Sequence, residues 1–166
     1  MLSSIAIAAP EQQAAAFMDI YANHCLRYLH DFDGMRKQLS SFPQLPAEAA
    51  ATFLQGAKGN AWSVPSQHGQ FVLVVHQDKP LCALYAKTLP AATAQALFEK
   101  KMGNAPKPFR SERKRNTREK GEDGVRSTVA YEWSTENAVR KPIFALTTTT
   151  SKNSVAQGVA SAAIGR

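Results

Sequence analysis

At 166 residues, with 44% hydrophobic and 20% charged side chains, the chain has the size and make-up of one ordinary domain. No run of eighteen or more apolar residues occurs, which excludes a helical membrane span, and two cysteines are too few for a cysteine-rich scaffold. The formal net charge of +7 is unevenly spread, and that unevenness carries most of what the sequence says about partners.

Residues 1–9 read as the tail of a secretory signal or a disordered N-terminus, because Ala6-Ile7-Ala8 has the small-x-small form that signal peptidase prefers. A basic start and a full apolar core for that signal are not among these residues, so either the true start lies upstream or Met1 replaces a removed leader. Residues 10–166 are expected to form a single α+β domain. From Pro10 to about Leu29 the spacing predicts a helix, with Phe17, Ile20, Tyr21, Cys25 and Tyr28 recurring at three- and four-residue steps. Pro10 suits the first helical turn and Glu11 suits the dipole there. A shorter helix starts after Asp31 or Asp33 and runs through Met35 and Leu39. The prolines at 43 and 46 interrupt it, and a third helix spans Ala47 to Leu54, stopped by Gly56.

Strands follow. Ala61–Val64 is short, and Phe71–His76 is apolar on both faces, as a covered central strand would be. A tight Asp78-Lys79-Pro80 connection returns the chain through Leu81–Ala86; a three-residue loop would set Cys82 opposite His76. Pro90 opens a helix with Ala94, Leu97, Phe98 and Met102 on one stripe, closed by Gly103. Val129, Tyr131 and Trp133 alternate along one strand, Ile143–Thr150 forms another, and Val155–Ile164 is read as a closing strand, with a short helix as the alternative. The expected architecture is an antiparallel sheet with the N-terminal helices and one inserted helix packed on one face.

Cys25 and Cys82 form an even pair with no metal-type spacing, so a disulfide is expected, closing a 57-residue separation. Two independent buried thiols are the alternative. A Cys–His nucleophile is disfavoured: His24 and Cys25 point about 100° apart on a helix, and the cysteines lie in apolar elements. The four histidines lack ligand spacing, so no metal or cofactor site is expected, and no nucleophile or phosphate-loop motif occurs. Trp62 and Trp133 are read as core or sheet-face residues, with a shared groove as the alternative.

Between Lys100 and Arg126 lie ten basic and four acidic residues, a net of +6, and Arg110–Gly124 contains no hydrophobic side chain. Arg110, Arg113, Lys114, Arg115, Arg118 and Lys120 are therefore expected in an exposed ribbon or a mobile hairpin tip around Gly121–Gly124. It is either an edge whose charge discourages strand pairing or a patch for an anionic partner. No aromatic residue interleaves with the arginines, so a base-stacking nucleic-acid surface is not indicated.

The order of features resembles a loose class of small bacterial exported proteins and lipoproteins of unknown function. The likeness rests on Phe17 and Cys25 in an opening helix, Phe53-Leu54 with Gly59-Asn60-Ala61-Trp62, Leu81-Cys82-Ala83, Tyr131-Glu132-Trp133, and Leu146-Thr147-Thr148-Thr149. It implies a periplasmic accessory role and no activity; Cys25 lies within a helix rather than at a lipid-anchor position. The expected function is a non-catalytic exported protein that binds or inhibits another protein. A small hydrolase with an unrecognised site, using His76, is one alternative, and a polyanion binder through residues 110–120 is another. The expected location is periplasmic or secreted, with the cytoplasm as the alternative.

Overall fold

The computed structural model describes residues 9–165, so the residues read as a signal remnant lie almost wholly outside the described residues. Helix α1 (Pro10–Tyr21) carries Pro10 in its first turn, where its missing N–H costs nothing, and Ala9 accepts the first backbone bond from Gln13. The α-helix ends earlier than the apolar spacing predicts. Ala22–Leu26 forms a single π turn, with the Arg27 N–H reaching back to the Ala22 carbonyl. One extra residue per turn keeps Tyr21, His24 and Cys25 all buried at the end of the same helical rod.

Helix α2 (Phe32–Leu39) starts where expected: the Asp31 carboxylate accepts the Gly34 N–H at 2.9 Å. Helix α3 (Ala47–Leu54) ends in two left-handed residues, Gln55 and Gly56. Helix α4 (Ala91–Gly103) buries Ala94, Phe98 and Met102, as its stripe predicts.

The strands are β1 (Gly59–Val64), β2 (Phe71–His76), β3 (Leu81–Ala86), β4 (Arg110–Gly121), β5 (Gly124–Ser134), β6 (Lys141–Thr149) and β7 (Gly158–Gly165). All seven form one antiparallel sheet in the order β1-β2-β3-β7-β6-β5-β4. The α+β class holds, and the C-terminal segment is a strand inserted between β3 and β6.

Register corrects one expectation. Cys82 stands opposite Val75, not His76, because the connection holds four residues rather than three. Side chains alternate across a strand, so this one-residue difference puts Cys82 and His76 on opposite faces.

The first face carries Trp62, Leu73, Leu84, Ala160, Phe144, Leu146, Val129 and Tyr131, and is covered by α1 and α4 to make the main core. Phe98 of α4 lies between Tyr21 and Tyr131, with ring centroids 6.1 and 6.3 Å away. Small residues on β7, Ala160 and Ala162, are fully buried, and the buried Tyr21 hydroxyl donates to the Ser161 carbonyl at 2.6 Å. The second face is covered over β1 and β2 by α3, through Ala50, Phe53, Leu54, Ala61 and Val74. Cys25 and Cys82, both fully buried, form the expected disulfide and fasten the helical layer to β3.

Candidate functional site

Position in the sheet decides the character of the basic ribbon. β4 is the last strand in the order, so one of its edges has no neighbour among the described residues. Its long pairing with β5 is set by the tight turn at Gly121–Gly124, where Gly124 sits at φ 141°. A Cβ on Gly124 would strike the Thr150 hydroxyl, which accepts the Val125 N–H at 2.8 Å. Glycine is required there on both counts.

A β-bulge between Arg113 and Arg115 interrupts the register, and the strand's charges sort by face around it. Arg113, Asn116, Arg118 and Lys120 stand opposite Tyr131, Val129, Ser127 and Val125, on the face that α4 covers. Every charged side chain in that row is a cation. Glu112, Arg115, Thr117 and Glu119 stand opposite Glu132, Ala130, Thr128 and Arg126, on the other face. Two of the acidic residues are engaged there: Lys114 approaches Glu112 and Lys141 approaches Glu132, each at 3.4 Å, while Glu119 shares the face with Arg115 and Arg126. Among the described residues Arg113, Arg118 and Lys120 make no ion pair. All six basic residues expected in the ribbon, Arg110, Arg113, Lys114, Arg115, Arg118 and Lys120, are exposed. Sequence alone shows the density of charge but not this sorting, which needs the bulge and the register.

The residues weighed for catalysis are dispersed. His24 Nδ1 bonds Gln38 Oε1 at 2.9 Å and meets Phe42 edge-on at 5.7 Å. Burial pushes its imidazole below the ordinary 6.5; the Gln38 bond opposes this and nearby Arg27 adds to it. His76 lies on the second face, also held below 6.5 by burial and by Lys79, with Asp78 opposing. Its Nδ1 has no partner, and its carbonyl accepts the Arg36 guanidinium. Among the described residues, its hollow is lined by Phe32, Arg36 and the Gln77–Pro80 turn, none of which bears a hydroxyl or thiol. Cys82 is committed to the disulfide, so the Cys–His pairing weighed from sequence does not form. Trp62 and Trp133 lie on β1 and β5, with four strands between them in the sheet order, and share no groove. Trp133 instead donates to the Met102 carbonyl at 2.7 Å and packs edge-on to Phe144 at 4.6 Å.

The chain matches no protein-family model, no curated protein and no solved structure. No helix among the described residues is long and apolar enough to cross a membrane. A buried disulfide is the kind of bond that persists where thiols are oxidised.

Proposed function

We propose that this protein is a non-catalytic binding protein of an oxidising compartment, periplasmic or extracellular, that holds an acidic segment of a partner protein on β4. The observation that carries the reading is the sorting of charge on that edge: cations only on the helix side, both signs together on the other. An edge that merely repels stray strands works with charges of either sign. Separating the signs has no value for that task, whereas a single-sign row beside unpaired backbone groups suits an anionic strand-like guest.

Such a guest would draw directional affinity from main-chain bonds along the edge. Alternate acidic side chains would meet Arg118 and Lys120, which lie two residues, about 6.8 Å, apart on one face. Each exposed ion pair contributes only about 0–1 kcal/mol, so the charges act mainly through steering and register. The buried Cys25–Cys82 bond supports an oxidising location.

Fluorescence anisotropy with a labelled peptide bearing Glu at every second position tests the reading, at about 20 mM and about 300 mM salt. Binding should fall steeply with salt and drop at least about tenfold in an R113E/R118E/K120E variant. A charge-matched control, R110E/R115E/R126E on the other face, should bind within about threefold of the parent protein. Equal losses in both variants, or none in the first, would remove the proposal. Equal affinity for the peptide and a single-stranded oligonucleotide would turn it into general polyanion binding.

A further inference from the structure

On the second face, beyond the cover of α3, the sheet bears a cleft of about 470 Å³, within the size range of about 300–1,000 Å³ usual for small-molecule sites. Its floor is a cross-strand row in which Tyr85 of β3, Val159 of β7 and Thr147 of β6 are successive partners. The row continues through Thr128 of β5 to Thr117 at the sheet edge, in a second hollow that shares Arg126 and Thr147 with the first. One wall is the end of α3 at Thr52 and Gln55, and the other is the Thr150–Gln157 loop. Arg126 and Asp123 close the hairpin end.

Two properties of this cleft define its ligand. Its floor passes from an apolar strip, the Tyr85 ring and Val159, to a strip of hydroxyls. Its charges come in opposing signs, Arg126 with Asp123 and Arg115 with Glu119. Several of its neutral polar groups are also held in advance. Thr128 and Thr147 hydroxyls bond each other at 3.0 Å. In the loop, Thr149 Oγ1 accepts the Ser151 N–H at 3.1 Å, and Ser151 Oγ accepts the Asn153 N–H at 3.3 Å. Gln157 accepts the Leu89 N–H and donates to the Ser151 carbonyl, tying the loop to the α4 entry. A hydroxyl has one donor and two acceptor positions, so each keeps capacity after these bonds. Donors and acceptors held in place, rather than ordered on binding, are what a weakly interacting ligand requires.

We propose that this cleft binds a neutral saccharide, of one or two sugar units. A sugar ring offers a C–H face to Tyr85 and Val159 and hydroxyls to the threonine row. Arg126 would donate to sugar oxygens, and the Asp123 carboxylate would accept from adjacent hydroxyls. A phosphate or other compact anion would meet Asp123 and Glu119 as well as the arginines, so the cleft does not favour one.

The site is on the opposite face from Arg113, Arg118 and Lys120, so the two proposals fail separately. Amide chemical-shift titration of the oxidised full chain with glucose, cellobiose and N,N′-diacetylchitobiose tests it, with inorganic phosphate as the contrasting probe. At least one sugar should give saturating shifts in Tyr85, Arg126 and residues 147–157. Thr147→Val and Arg126→Ala should each weaken it about tenfold, with spectra that keep the dispersion of the folded protein. R113E/R118E/K120E should leave it unchanged. Gln55→Ala, at an exposed helix end, supplies a third variant should either of the first two unfold. Saturation by phosphate alone, no saturable sugar shifts, or shifts insensitive to these variants would overturn the assignment.

Discussion

Cys25 and Cys82 join the π turn at the end of α1 to the third strand of a seven-stranded sheet, with their Cα atoms 5.4 Å apart and both side chains fully buried. The bond lies between layers, so it restrains the unfolded chain and the seating of α1 together. Closing a 57-residue separation is worth about 4 kcal/mol in the chain-entropy account, against a whole-domain stability of about 5–15 kcal/mol. A Cys25→Ala/Cys82→Ala variant should lose about 2–5 kcal/mol in urea unfolding. Labelling the denatured, unreduced native protein with a thiol reagent should modify neither cysteine.

The carbonyl of Met102, at the end of α4, accepts two side-chain donors from different strands. Ser111 Oγ of β4 and Trp133 Nε1 of β5 each reach it at 2.7 Å. Each of Ser111→Ala and Trp133→Phe leaves the carbonyl one donor and should cost only about 1 kcal/mol. The double variant leaves it without either and should cost more than the sum, by about 0.5–1 kcal/mol. A double-mutant cycle measured by urea unfolding decides this; strict additivity would mean that water replaces both donors.

Tyr21 is fully buried, and burial pushes its phenol well above the ordinary value of 10.0. The neutral phenol is the form that donates to Ser161, so raising the pH through 10 favours the unfolded chain, where the phenol ionises more easily. In an alkaline titration followed by phenolate absorbance, one of the four tyrosines should ionise only as the protein unfolds. Tyr21→Phe should remove that component and cost about 1 kcal/mol at neutral pH.

Acid sensitivity should come from His24 and His76, both held below 6.5 chiefly by burial. Between the folded and unfolded values the unfolded chain binds more protons, so stability rises with pH across that window. The contribution is complete above 6.5, is lost as the pH falls below it, and levels off once the folded imidazoles protonate. Urea midpoints should therefore drop on moving from pH 7 towards pH 5, and a His24→Gln/His76→Gln variant should show a shallower drop over the same interval.

Much of the local structure was legible before the fold was known. Apolar residues at three- and four-residue steps marked α1 and α4, Asp31 marked the start of α2, and alternation at Val129, Tyr131 and Trp133 marked β5. These signals are written in neighbouring residues, as the periods of helix and strand require. The cysteine pairing was legible too, because two cysteines in apolar elements leave one partner each. Other features belong to the tertiary structure alone. One further residue in the β2–β3 turn moved Cys82 from His76 to Val75, and a bulge at Arg113/Arg115 sorted the ribbon's charges by face. The cleft draws on Thr52, Tyr85, Arg126 and Val159, which come together because β7 inserts between β3 and β6. Composition and periodicity determined which segments are helix, strand and exposed ribbon. Register and strand order, which depend on contacts between residues far apart in the chain, decided which side chains face one another.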